Sequence, residues 1–178
     1  MDHERVVLLA ADGEEIGSAL KSEVHGPDTP LHLAFSCYVR DERDRILVTR
    51  RSLEKLTWPG VWTNSFCGHP RPSEPVVDAV RRHARLELGA EIAELQLELP
   101  LFRYRAVDAS GVVEHEVCPV YSARLDSGLR PSPGEVMDHV WVEPADLAEA
   151  TRRTPWAFSP WLVMQVELLD LFRVGAPA

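Results

Sequence analysis

The sequence predicts a mixed α/β domain of the α+β kind, with a sheet flanked by helices. Three observations carry that expectation. Short apolar runs recur between turn signals, as strands do. Val76, Val77, Val80, Ala84 and Leu88 fall at helical spacing, and Gly89 follows as a C-cap. A second, longer apolar helix opens after Ser159-Pro160, an N-cap and first-turn pair. The chain has 178 residues, of which 45% are apolar, which suits one domain with a substantial core. Strands with helices between and after them give this fold class.

The elements follow in order. Arg5–Ala10 and a short stretch near Ile16 flank Asp12-Gly13, a hairpin signal. Leu31–Val39 reads as one strand, Asp41–Asp44 as a polar turn, and Ile46–Arg50 as the returning strand. Thr57–Pro70 reads as a loop, with Pro59-Gly60 marking a turn. Leu99–Ala106 and Val112–Arg124 form a hairpin pair around Asp108–Gly111, and Val136–Val142 is a further strand. The final helix runs from Trp161 to about Phe172. Neither repeats nor linkers divide the chain, so residues 1–178 form a single domain.

Composition narrows the functional classes. The formal net charge is −9, with no basic tail or stripe, which argues against nucleic acid as the main partner. No apolar run reaches the length of a membrane span, and the acidic start Met1-Asp2-His3-Glu4 does not resemble a signal peptide. Three cysteines do not make a disulfide framework, so the expectation is a cytoplasmic protein with free thiols. A monomer is expected separately; nothing in the sequence reads out oligomeric state. Among 19 basic residues only Lys21 and Lys55 are lysines. A bias toward arginine makes the two lysines candidates for following a phosphate, since an ammonium is a compact charge.

Two short segments concentrate the chemistry. In an extended strand alternate side chains share a face, so Glu114 and Glu116 aim at one point and His115 turns away. Cys67 and His69 share a face in the same manner. His25 and His32 bracket a short turn that can bring both imidazoles inward. Three imidazoles with two carboxylates and a thiol suit zinc, manganese or iron better than calcium or magnesium. His3, His115 and His139 read as surface or satisfied residues, and Cys37 and Cys118 as inert buried thiols.

Gly68, Glu74, Arg82, Glu87 and Gly89 fit the spaced frame of the Nudix box. His83 and Leu86 stand where the hydrolase version carries glutamates that hold magnesium, which weakens a hydrolase reading. Trp58-Pro59-Gly60, Thr63-Asn64-Ser65, Cys67-Gly68-His69-Pro70, Phe102-Arg103-Tyr104-Arg105, Glu116-Val117-Cys118-Pro119 and Trp156-Ala157-Phe158-Ser159-Pro160-Trp161 extend the likeness over roughly residues 4 to 165. With His25, His32, His69, Glu114 and Glu116, the chain resembles type I isopentenyl diphosphate isomerase, a flavin-independent, metal-dependent family of the Nudix superfamily. The resemblance implies interconversion of isopentenyl and dimethylallyl diphosphate for isoprenoid synthesis.

It also implies roles. Cys67 and the Glu116/Tyr104 pair are the acid and base on opposite sides of the substrate. Trp161, which by spacing alone is a core residue, faces the carbocation-like state. His25, His32, His69, Glu114 and Glu116 hold manganese or zinc. Glu87 and the carbonyl of Cys67 hold magnesium on the diphosphate. Lys21, Arg51, Lys55 and, more weakly, His83 bind that diphosphate. Residues 1–30 form an N-terminal segment able to close over the site.

Overall fold

The structure, a computed structural model, describes residues 4–173. The chain opens with a hairpin, β1 (Arg5–Leu9) and β2 (Glu15–Leu20), turned at Gly13, whose φ of 93° suits glycine. One helical turn, α1 (Lys21–Val24), leads to β3 (His32–Leu33) and β4 (Phe35–Arg40). Next come β5 (Ile46–Arg51), β6 (Trp62–Thr63), β7 (Phe66–Gly68) and α2 (Val76–Leu88). The second half holds β8 (Ile92–Leu99), β9 (Arg103–Val107), β10 (Val113–Val117), β11 (Val120–Leu125), β12 (Val136–Val142), α3 (Pro144–Arg153) and α4 (Pro160–Leu168), with 3-10 turns at Pro155–Ala157 and Asp170–Phe172.

Two sheets result. One has the order β2-β1-β3-β10-β9, the other β12-β5-β4-β11-β8, with β6 on β5 and β7 on β4. The expected single strand Leu31–Val39 is two strands, one in each sheet. Its companion Val112–Arg124 splits in the same way into β10 and β11. The crossings occur side by side: Ala34 N donates to Val117 O at 2.9 Å, and Ser36 N donates to Pro119 O at 3.1 Å. Ala34 through Val39 are buried without interruption, so no alternation in the sequence marks the switch.

Other expectations need correction. The loop Thr57–Pro70 contains β6 and β7, whose short segments borrow their pairing from β5 and β4. The strand expected at Leu99–Ala106 begins only at Arg103, and the sequence reading misses β8, α1 and α3. β8 is an edge strand with a mostly exposed, charged face, so its apolar signal is weak. The last helix ends at Leu168 rather than near Phe172.

The predicted helix α2 is correct to both ends. It buries Ala79, Val80, Ala84 and Leu88, and Gly89 caps it at φ 57° with its N–H on Arg85 O. Ser159 caps α4 by accepting from Leu162 N. One core packs α3 and α4 beneath Tyr38, Ile46, Val48, Phe102 and Val120; a second packs α2 against Phe35, Leu47 and Phe66. The crossover between the sheets, flanked by both cores, is where the functional residues converge.

Candidate active site

Register builds the site. His32 on β3 pairs with Glu116 on β10, and Glu116 pairs with Tyr104 on β9, so one row of the first sheet carries imidazole, carboxylate and phenol. Glu114 lies two residues before Glu116 on the same face, and His115, opposite Arg105, points away. In the second sheet Cys67 on β7 pairs with Ser36 on β4. His69 follows β7 directly, and His25 follows α1.

These elements bring His25, His32, His69 and Glu116 together, with one donor atom from each lying within 4.8 Å of the others. The ring centroids are 5.1 Å apart for His25–His32 and His32–His69, and 5.6 Å for His25–His69. Glu116 Oε1 lies 3.6 Å from His32 Nε2 and 3.4 Å from His69 Nε2, while Glu114 Oε2 lies 3.1 Å from His25 Nε2. His25 Nε2, His32 Nε2, both ring nitrogens of His69 and Glu114 Oε2 are buried with no hydrogen-bond partner. Unpaired buried polar atoms are costly; those of the three histidines converge with Glu116, while the expected ligand Glu114 lies outside that group of four and borders it at His25. Nitrogen and carboxylate donors in such a cluster fit a divalent transition metal. His32 Nδ1 contacts Pro30 O at 2.9 Å, which orients the ring and leaves Nε2 for the cluster.

Protonation follows the environment. Burial pulls His69 well below the usual imidazole range, with His32 adding to the effect, so the ring is a neutral donor. Burial also acts to lower His32, but contact with Glu116 outweighs it and raises His32. Burial alone would raise Glu116; His32, Glu114 and Tyr104 together hold it below the usual carboxylate range. Tyr104 is raised far above the phenol range by burial and then by the two glutamates.

A cavity of about 400 Å³ opens beside this cluster. Its wall includes Cys67, Tyr104, Glu116 and Trp161, and its rim includes Lys21, Arg51 and Lys55. Cys67 is pushed up to about 12 by burial, against hydrogen bonds with Ser36 and Asn64, so it rests as the thiol. Its Sγ donates to Asn64 Oδ1 at 3.2 Å and lies 3.4 Å from Ser36 Oγ. Trp161 Nε1 donates to the same Asn64 Oδ1 at 3.0 Å, and its ring lies 5.7 Å from Tyr104 and 5.4 Å from Trp58. One amide thereby fixes both the thiol and the indole. The sequence reading gives Asn64 no role of its own, and no local signal marks it, because its partner Trp161 lies 97 positions away.

The expected phosphate ligands are on the rim in differing states. Arg51 Nη2 donates to Thr57 O at 2.7 Å, and its guanidinium carbon lies 5.3 Å from the centroid of Trp161. Among the described residues it has no carboxylate partner. Lys21 pairs with Glu4 at 2.9 Å, and Lys55 pairs with Glu135. His83 packs under Gly68, where an added Cβ would meet the ring at 2.6 Å, and its Nδ1 lies 2.8 Å from Glu87 Oε1. Burial opposes the charge on Glu87, but His83 and Lys55 hold it below the usual range. Leu86 is exposed, turned from the cavity that Glu87 lines. His3 lies outside the described residues, and His115 and His139 line neither cluster nor cavity.

Residues 30–162 match the NUDIX domain model. A crystal structure from Deinococcus radiodurans superposes with a TM-score of 0.72 at 21% identity, covering 94% of this chain and 99% of that one. The MutT NUDIX hydrolase structure from Burkholderia pseudomallei gives 0.58 at 27% identity, covering 78% of this chain and 97% of its own. The chain therefore belongs to the Nudix superfamily.

Sequence relatives narrow the assignment. The isopentenyl-diphosphate Delta-isomerase of Agromyces mediolanus is 63% identical over 98% of this chain and 85% of its own length. That of Clavibacter michiganensis subsp. michiganensis is 60% identical over 93% and 86%. The chain belongs with them to the isopentenyl-diphosphate Delta-isomerase family, of type I.

Proposed function

We propose that this protein interconverts isopentenyl and dimethylallyl diphosphate, by adding a proton to one carbon of the alkene and removing one from another. The observation that supports this most is the cavity wall. A thiol, a carboxylate–phenol pair and an indole face one space of about 400 Å³. Among the described residues no helix is long and apolar enough to cross a membrane, and the reading is of a cytoplasmic, monomeric enzyme with a small-molecule diphosphate as its partner.

We read Cys67, a thiol, and Glu116, a carboxylate paired in register with Tyr104, as the two proton-transfer groups. A proton passes between one of these groups and the alkene, and the opposite group handles the second proton; the direction of reaction decides which does which. The developing tertiary cation needs stabilisation without a nucleophile. Trp161 supplies it through its π face. That face already attracts the guanidinium of Arg51. Asn64 holds the indole and the thiol at fixed positions, so neither needs to reorganise during the reaction.

His25, His32, His69, Glu114 and Glu116 are the residues that would hold manganese or zinc. A cation bound there keeps Glu116 a carboxylate and fixes its direction. Glu87 and the Cys67 carbonyl would hold magnesium on the diphosphate, with Lys21, Arg51 and Lys55 binding its oxygens and His83 supporting Glu87. The N-terminal segment that brings Lys21 and His25 closes one side of the site. Excluding water protects the cation from capture.

The test is incubation with isopentenyl diphosphate, magnesium and manganese. Dimethylallyl diphosphate should appear without phosphate release. Phosphate or pyrophosphate release with no allylic diphosphate would instead identify a hydrolase.

A further inference from the structure

Thr57 lies in the loop between β5 and β6, and the reaction as described assigns it nothing. It is buried. Its Oγ1 donates to Glu114 Oε1 at 2.7 Å and accepts from Arg51 Nη2 at 3.1 Å. A hydroxyl has one hydrogen and a guanidinium can only donate, so that hydrogen is committed to Glu114. The other carboxylate oxygen, Oε2, is buried without a hydrogen-bond partner, 3.1 Å from the equally unpartnered His25 Nε2. The two oxygens of Glu114 therefore differ: one is saturated from the loop, and the other is left to the imidazole cluster.

We propose that Thr57 is a positioning residue for the metal centre, holding Glu114 by one oxygen so that only the other is presented as a ligand. The inference rests on reading the imidazole–carboxylate cluster as a divalent-metal site. It adds a link between that cluster and the phosphate rim. Arg51 supplies the bond that sets the direction of the threonine hydroxyl, so the arginine bordering the diphosphate also orients a metal-binding carboxylate. Valine at position 57 would keep the volume and lose the hydroxyl, leaving Glu114 Oε1 buried and unbonded. The carboxylate would then be free to turn.

The experiment measures manganese affinity directly on the intact protein, without substrate. The protein is stripped with a chelator and titrated with manganese alone, with free ion read by electron paramagnetic resonance. Thr57→Val should weaken binding about 10–100-fold, the usual cost of losing an outer-shell partner. Thr57→Ser, which keeps the hydroxyl, should stay within about threefold of wild type on the same scale. In a Glu114→Ala background, adding Thr57→Val should change nothing further. Should Thr57→Val fail to fold, Thr57→Ala carries the same expectation. Wild-type affinity in the hydroxyl-free variants, or an equal loss with and without Glu114, overturns the role given to Thr57 while leaving the metal site standing. A wild-type protein that takes up no manganese overturns the metal reading on which this inference rests, and the inference with it.

Discussion

The two walls of the pocket treat their buried polar atoms in opposite ways. On the cluster wall, His25, His32, His69 and Glu114 all carry buried atoms without hydrogen bonds. On the other wall, around Cys67 and Trp161, the polar atoms are satisfied. Asn64 Oδ1 accepts from Thr63 Oγ1, Cys67 Sγ and Trp161 Nε1, while Nδ2 donates to Cys37 O and Phe66 O. Behind them Tyr38 donates to Gln165, and Gln165 donates to Ser36. The first wall is complete only with a ligand. The second is complete without one, and presents a thiol and an aromatic face to a hydrocarbon that offers no hydrogen bonds. On the proposed function, the difference separates recruiting an ion from holding reactive groups still.

The contrast can be broken most severely at the reacting groups. On the proposed function each of Cys67 and Glu116 is one of two proton-transfer partners, so Cys67→Ala and Glu116→Gln should each lower kcat by at least about 1000-fold while circular dichroism stays native. A variant retaining full activity would remove that residue from the reaction. Next, dialysis against a strong chelator should abolish activity. It should also lower stability by roughly 3–4 kcal/mol if the site is normally filled far above its Kd. Manganese or zinc, with magnesium, should restore both. Equal melting temperatures before and after chelation would show that the cluster wall needs no ion.

Asn64→Ala attacks the satisfied wall. It strands the indole N–H and two backbone carbonyls, so urea denaturation of the metal-loaded protein should show a loss of about 3 kcal/mol. A loss under about 1 kcal/mol would mean the network contributes little. Trp161→Phe should retain more activity than Trp161→Leu, by about tenfold in kcat, since only an aromatic ring supplies cation attraction. Similar rates would reduce Trp161 to packing.

The smallest effect lies outside the pocket. Glu74 is held down to about 2, against an ordinary 4.5, by its hydrogen bond to Arg82. A depressed carboxylate stabilises the fold above its unfolded value and loses that contribution as pH falls from about 4.5 toward 2. Glu74→Gln should therefore flatten part of the acid limb of the melting curve, by less than about 1 kcal/mol because the pair is partly solvated. An unchanged limb would show that the pair adds nothing.

Local signals carried far into this molecule. The two-residue spacing of Glu114 and Glu116 is enough to place both on one face, because strand geometry depends on nothing distant. The period of Val76 through Leu88 and the glycine after it mark α2 to the residue. What fails is whatever tertiary pairing decides. Reading Thr57–Pro70 as loop misses β6 and β7, since two- and three-residue strands exist only through their partners. The sheet switch at Ala34 is hidden in a run buried on every side. Register, rather than any motif, puts His32, Glu116 and Tyr104 in a row. The bonds from Trp161 to Asn64 and from Thr57 to Glu114 span 97 and 57 positions of chain, beyond the reach of any local pattern.

Trp58 adopts a left-handed backbone, φ 42°, a conformation that costs a side-chain-bearing residue roughly 1–2 kcal/mol. Its carbonyl and that of Thr57 both accept from Arg51 Nε at 3.1 Å. A flat, forked cation is thus the clasp on a wound spring. Lysine in that place would bring equal charge to an anion, yet its single ammonium has no planar fork with which to grip neighbouring carbonyls, and the coil would be free to unwind.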